Sequence, residues 1–256
     1  MRALVRAAGT AAAVGAGVLA WSLVEAQSFV VRQVAAPVLE PGRRPLRILH
    51  LSDLHLTPSR RREVAWVRSL ARFRPDLVVD TGDNLAHPDA VETALEALEP
   101  LLEFPGVFVH GSNDYYAPRP KNPFTYLSQP TDVREGQRPL DTAALTAGLT
   151  AGGWADLSNA RAALELGGSR VTFAGLDDPH LDRDRLPAPD DDHGELRIGV
   201  VHAPYLRALE ALRRDGAHVV LAGHTHGGQV CVPGYGALVT NCDLDTSRAS
   251  GLHGWP

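Results

Sequence analysis

Short apolar runs alternate with amphipathic stretches along most of this chain. Residues 47–51 read as a buried strand. Residues 61–73 follow with Val64, Val67, Leu70 and Ala71 at helical spacing, and Pro75 stops the pattern. Residues 76–80 read as a second strand. Residues 88–102 read as a second amphipathic helix, with Pro88 near its first turn and Pro100 near its end. Residues 107–110 are a third strand. This order predicts a parallel sheet joined by crossover helices. Residues 115–140 interrupt the rhythm with five prolines and read as an ordered loop. Residues 141–151 return to helix, and 154–166 and 170–175 read as strands of a second sheet. The acidic, proline-punctuated stretch 182–195 reads as a solvated loop. A strand at 196–201, a helix at 204–213 and a strand at 217–222 resume the alternation. No internal repeat is visible.

The N-terminus differs in kind. Residues 7–24 carry no charge and follow Arg2 and Arg6. Eighteen residues are barely enough to span a bilayer, and this run is rich in Ala and Gly. Three readings stand. A membrane anchor is preferred; a cleaved signal peptide, with Val24-Glu25-Ala26 as a small-residue site, and a helix docked on the domain are the others. Arg2 and Arg6 favour an inside N-terminus, whereas Arg32, Arg43, Arg44 and Arg47 blunt that bias, so the side of the membrane stays open. The chain thus divides into an anchor or signal segment (1–26), a linker (27–45) and one large domain (46–256). A membrane-associated location is expected, with a secreted or cytoplasmic one as the alternative. The net charge of −5 gives no basic footprint for nucleic acid. Cys231 and Cys242 lack metal-ligand spacing and read as buried thiols rather than a disulfide. The oligomeric state is open.

Five of the apolar runs end in Asp, Asn or His. Asp53-Leu54-His55 follows the first, Gly82-Asp83-Asn84 the second and Gly111-Ser112-Asn113-Asp114 the third. His202 ends a fourth, and Gly223-His224-Thr225-His226-Gly227-Gly228 a fifth. Open α/β sheets build their sites at the carboxyl ends of strands. Carboxylate, imidazole and amide together suit borderline or hard cations. Asp83 is the natural bridge, because a carboxylate has two oxygens that can serve two cations.

This ordered set resembles the calcineurin-like metallophosphoesterases over residues 46 to 240, and their membrane-associated bacterial branch most of all. The resemblance implies an α/β fold: a two-sheet metallophosphoesterase sandwich flanked by helices. It implies two divalent or trivalent transition metal ions (Mn, Zn or Fe). Asp53, His55, Asp83 and His226 would hold the first; Asp83, an amide of the third block, His202 and His224 would hold the second. The implied activity is hydrolysis of a phosphomonoester or phosphodiester, lipid- or nucleotide-linked, through a metal-bound hydroxide.

The third block departs from the family's Gly-Asn-His-Asp. In strict register Ser112 takes the ligand position and Asn113 that of the catalytic imidazole. In a register slipped by one, which is preferred, Asn113 is the ligand and Asp114 stands near the leaving group. Arg119, Lys121 and His180 are the expected substrate contacts, and Asp177-Asp178-Pro179-His180 either borders the site or is an ordinary turn. Thirty residues follow His226, so the closing strands are expected to be short. The alternatives are a soluble cyclic-nucleotide phosphodiesterase and a catalytically weak binding module of the same fold.

Overall fold

The computed structural model describes residues 2–118, 137–228, 230–232 and 234–255. The chain forms two compact units, Met1–Ala35 and Ala36–Pro256. The first is built on one helix, α1 (Arg2–Glu25), which leaves Val14, Val18, Leu19, Trp21 and Val24 exposed. Among the described residues no helix is long and apolar enough to cross a membrane. The helix is rich in Ala and Gly, and the Thr10 and Ser22 hydroxyls bond back to its carbonyls.

The second unit holds two four-stranded sheets. In the first, β1 (Ile48–Leu51), β2 (Leu77–Asp80), β3 (Gly106–Phe108) and β4 (Ala155–Asp156) lie side by side, all parallel. In the second, β5 (Arg161–Leu166) runs antiparallel to β6 (Ser169–Leu176), and β7 (Leu196–Val201) and β8 (Val219–Ala222) follow in parallel. Alternation along β2 explains the layering. Val78 faces one core, shared with Val64, Val67, Leu98, Leu145 and Leu149 of three helices: α2 (Arg61–Ser69), α3 (Val91–Leu98) and α5 (Thr142–Ala151). Leu77 and Val79 face the other way and pack with Val171, Phe173, Ile198 and Val200 of the second sheet. A sixth helix, α6 (Leu206–Arg214), closes the far side, with Ala208 and Leu212 against Leu176 and Val201. The result is a helix–sheet–sheet–helix sandwich. Between α3 and α5 in the chain comes one short turn, α4 (Ser112–Tyr115). After β8 the chain makes a small hairpin, β9 (Cys231–Val232) with β10 (Gly236–Ala237).

One expected element comes out differently. The single strand expected at 154–166 is two strands in two sheets. Asn159 makes the switch at φ 56; its side-chain oxygen accepts the Asp177 and Arg185 amides, and its nitrogen donates to the Arg183 carbonyl. The acidic stretch 182–195 is an exposed loop, as expected, and arginines tie it down. Arg161 and Arg197 reach Asp190 and Asp215, Arg170 reaches Asp192, and Arg207 holds Asp182 and Asp184.

Candidate metal centre

Because the pairs Leu51↔Asp80, Asp80↔Phe108 and Val201↔Ala222 are in parallel register, the residues after these strands emerge at neighbouring strand ends. The loops after β1 and β2 keep pairing beyond the strands, with the Asp53, His55 and Leu56 amides donating to the Gly82, Asp83 and Asn84 carbonyls. Asp53, His55, Asp83, His224 and His226 all have left-handed backbone, with φ between 43 and 69. Such a conformation is uncommon outside glycine and concentrates at functional sites. Five of the nine non-glycine residues with positive φ among those described are these.

Two bridges between the sheets carry the candidate ligands. At the β1–β8 side, the His224 amide donates to both Asp53 oxygens, at 3.2 and 2.9 Å. Gly223 sits so close to Ser52 and Asp53 that a Cβ would collide with both. At the β2–β7 side, His202 Nδ1 lies 2.8 Å from the Thr81 carbonyl. A carbonyl only accepts, so Nδ1 carries the hydrogen and Nε2 presents its lone pair.

The donor atoms collect in two overlapping groups: Asp53, His55 and His226, and Asp53, Asp83 and His202. His226 Nε2 is 3.4 Å from Asp53 Oδ1 and 3.3 Å from His55 Nε2, and the two rings stack. Asp83 Oδ2 is 3.7 Å from His55 Nε2 and 3.4 Å from His202 Nε2, so this carboxylate also faces both groups. His202 Nε2 is buried and has no hydrogen-bond partner. A bare lone pair facing a carboxylate is repulsive, so the arrangement calls for positive charge between them, a proton or a cation. Burial opposes a charged ring, yet Asp83 and Asp53 outweigh it and push the His202 pKa well above its ordinary value. Burial raises the Asp83 carboxyl, but His202 and His55 win and hold it below the usual carboxylate range. The donors therefore fit divalent cations.

The other candidate ligands stand around these groups. His224 lies edge-on to His202 at 5.3 Å between ring centroids. Its Nε2 is 3.2 Å from the Asn241 carbonyl, which leaves Nδ1 as the acceptor. Burial, with His202 and His180 nearby, lowers its pKa to about 3, so the ring is neutral, as a ligand must be. In the third block it is Asn113 whose side chain reaches Asp83 and His55, with Nδ2 at 3.2 Å from Asp83 Oδ2 and 3.3 Å from His55 Nδ1. The Asn113 amide donates to Asp83 Oδ1 at 2.7 Å.

A calcineurin-like phosphoesterase profile matches residues 46–228. The chain belongs to this family. It is 30% identical over 194 residues to the uncharacterized protein YpbG of Bacillus subtilis (strain 168), covering 74% of this chain and 64% of that protein. It is 27% identical to the uncharacterized metallophosphoesterase YkuE of the same organism, over 81% of this chain and 67% of YkuE. A Bos taurus transmembrane protein with metallophosphoesterase domain is 29% identical over 80% of this chain and 46% of its own length. The chain thus spans about two thirds or less of these relatives.

Asp114 lies beneath the cluster. Its carboxylate accepts the Asp83 and Gly111 amides on one oxygen and the Asn84 amide on the other, at 2.8 to 3.0 Å, and it is wholly buried. Held by three N–H groups, it braces the loops beneath the centre. His110 is likewise buried, with Nε2 on the Thr146 hydroxyl at 2.8 Å. His180 packs against His224, 4.9 Å between ring centroids, and its Nδ1 meets the Tyr205 hydroxyl at 2.9 Å. Arg119 and Lys121 lie outside the described residues. Sequence reading missed Tyr115, whose hydroxyl donates to Asp177 at 2.7 Å across the β3–β6 side. It also missed the Thr81 and Asn241 carbonyls that orient two histidines; a backbone acceptor leaves no residue-type signal.

Proposed function

We propose that this phosphoesterase uses two metal ions to hydrolyse a phosphomonoester or phosphodiester. The observation that carries the reading is the buried, unpartnered His202 Nε2 facing Asp83, in a cluster with two carboxylates and no arginine or lysine paired to either among the described residues. Asp53, His55, Asp83 and His226 would hold one ion; Asp83, Asn113, His202 and His224 would hold the other. When bound, two such ions polarise a phosphoryl oxygen and activate an attacking water. The protein's own part is to hold these donors. Thr81 and Asn241 set the histidine tautomers, and Asp114 fixes the amides of Asp83 and Asn84. Outer partners of this kind typically matter about 10–100-fold in affinity or activity.

With no imidazole at Ser112 or Asn113 and with Asp114 committed, proton delivery to the leaving group is weak. Esters with acidic leaving groups should therefore react fastest. Residues 1–35 are assigned to location: α1 exposes an apolar surface suited to a membrane, and one relative is described as a transmembrane protein. A lipid- or nucleotide-linked substrate fits this setting.

Metal analysis of purified protein after reconstitution with Mn or Zn should find two equivalents per chain, with chelator-sensitive hydrolysis of an aryl phosphodiester. One equivalent or none would sink the two-metal reading. Two equivalents without turnover would favour the binding module instead.

A further inference from the structure

Three bridges join the ends of the two sheets, and they are not alike. The β1–β8 and β2–β7 bridges are made by candidate ligands. The third, at the β3–β6 side, joins Tyr115 of α4 to Asp177, and neither belongs to a ligand group. It holds an arginine instead. The Arg183 guanidinium lies 4.1 Å over the Tyr115 ring, and its Nε donates to Asp177 Oδ2 at 2.8 Å.

This bridge sits next to the centre. Leu176 pairs with Val201, so Asp177 and His202 follow at adjacent strand ends, about 5 Å apart as neighbouring strands are. Tyr115 comes two residues after Asn113, which touches Asp83 and His55. Arg183 is also held in place from behind. Asn159 binds the Asp177 amide, the Arg183 carbonyl and the Arg185 amide with one side chain.

The pairing leaves the arginine with capacity to spare. Asp177 already accepts the Tyr115 hydroxyl and the Asp178 amide besides Arg183 Nε. No carboxylate other than Asp177 pairs with Arg183 among the described residues, and its side chain is 47% exposed. Arg207, on the same wall, is the contrast: Asp182, Asp184 and the Pro179 carbonyl all take its N–H groups. A guanidinium held by an aromatic face and by Nε keeps N–H groups without a carboxylate partner, and a planar fork of this kind suits a phosphate. Its ordering cost is met before any ligand arrives.

We propose that Arg183, set by Tyr115 and Asp177, is the contact for a second phosphate group of the substrate, so that the preferred esters carry a phosphate beyond the one hydrolysed; this rests on the phosphoesterase reading above. The probes are α,ω-alkanediol bisphosphates two to six carbons long and the matching alkyl monophosphates, titrated into the metal-loaded full chain by calorimetry. The best bisphosphate should bind about 10-fold tighter than its monophosphate, the size of one charge-assisted contact. In Arg183→Gln that ratio should fall to about 1, while Arg207→Gln keeps it. Arg183→Lys retains the charge without the fork and should lower the ratio about threefold, which also serves if the glutamine variant does not fold. A wild-type ratio near unity at every length, or a ratio unchanged in both Arg183 variants, overturns the proposal. Failure of the monophosphates themselves to bind wild-type protein would strike the phosphoesterase reading, and this proposal with it.

Discussion

The metal centre and the arginine-rich flank are both dense in charge, and they treat it in opposite ways. On the flank, Arg161 and Arg197 share Asp215, Arg170 meets Asp192 and Glu165, and Arg207 meets Asp182 and Asp184. Each guanidinium finds a carboxylate, and a surface loop is tied down. In the centre, Asp53 and Asp83 have only histidines as charged partners among the described residues. One of those rings, His202, is buried with no hydrogen-bond partner at Nε2. Paired charge builds scaffold, whereas buried carboxylates facing bare imidazole nitrogens await a cation. Crossed substitutions break that comparison if it is wrong.

The largest effect should come from the centre. Asp83→Asn removes a full charge that faces His55 on one side and His202 on the other. Metal content should drop by at least one equivalent and turnover should fall beyond the ~10–100-fold typical of outer partners. Asn113→Ala, which removes one neutral amide, should stay within that range. Elemental analysis and kcat on the two variants decide it; equal losses would mean that Asp83 is no bridge.

Beneath the centre lies a carboxyl that behaves like neither region. Asp80 is fully buried, and burial raises its pKa to about 7. The folded protein therefore holds a proton that the unfolded chain releases between about pH 4 and 7. Its contribution to stability is complete below pH 4 and is lost as pH rises through 7, on the order of 4 kcal/mol. Asp80→Asn removes this titration. An amide can still accept the Gly82 N–H, and a flip of Asn84 lets its unpartnered Oδ1 accept in return. Denaturation of metal-free protein at pH 5 and pH 8 should show the wild type losing more stability on that rise than the variant. The same loss in both would place the titration elsewhere.

The strand ends were legible in the sequence because a polar residue after an apolar run has one place to go in a parallel sheet. Asp53, Asp83, His202 and His224 stand at those ends. The turn of Asn159 was not legible, since Ser158-Asn159 leaves the apolar run 154–166 too short-lived an interruption to divide it between sheets. Nor was the bracing by Asp114. Nothing in a Gly-rich block shows that three amides converge on its carboxylate. The flank's ion pairs eluded reading for a different reason: an acidic stretch does not show which distant arginines, such as Arg161 and Arg170, meet it in space.

On the flank itself, Asp215→Asn is the mirror of the substitution at Asp83. Its side chain is 7% exposed and pairs with two arginines that are 11% and 12% exposed. Taking one partner from a buried pair leaves uncompensated charge, so the loss should be about 3 kcal/mol. Two metal equivalents should remain. A fall in metal content without a fall in melting temperature would erase the distinction between the regions.

The smallest effect is expected from the first compact unit. A chain starting at Ala36 lacks the first compact unit, α1 included, and keeps the second, with both sheets and the whole centre. The core residues packed between the sheets and under the helices all come from residue 38 onward. The shortened chain should therefore keep the cores that carry Asp53, Asp83 and the histidines. Turnover of a small soluble aryl phosphodiester should change less than about twofold, within the ±0.5 kcal/mol usual for changes away from core features. The share of protein that sediments with membranes should fall instead. Should the shortened chain fail to fold, or lose metal, residues 1–35 belong to the domain's packing and not to its location.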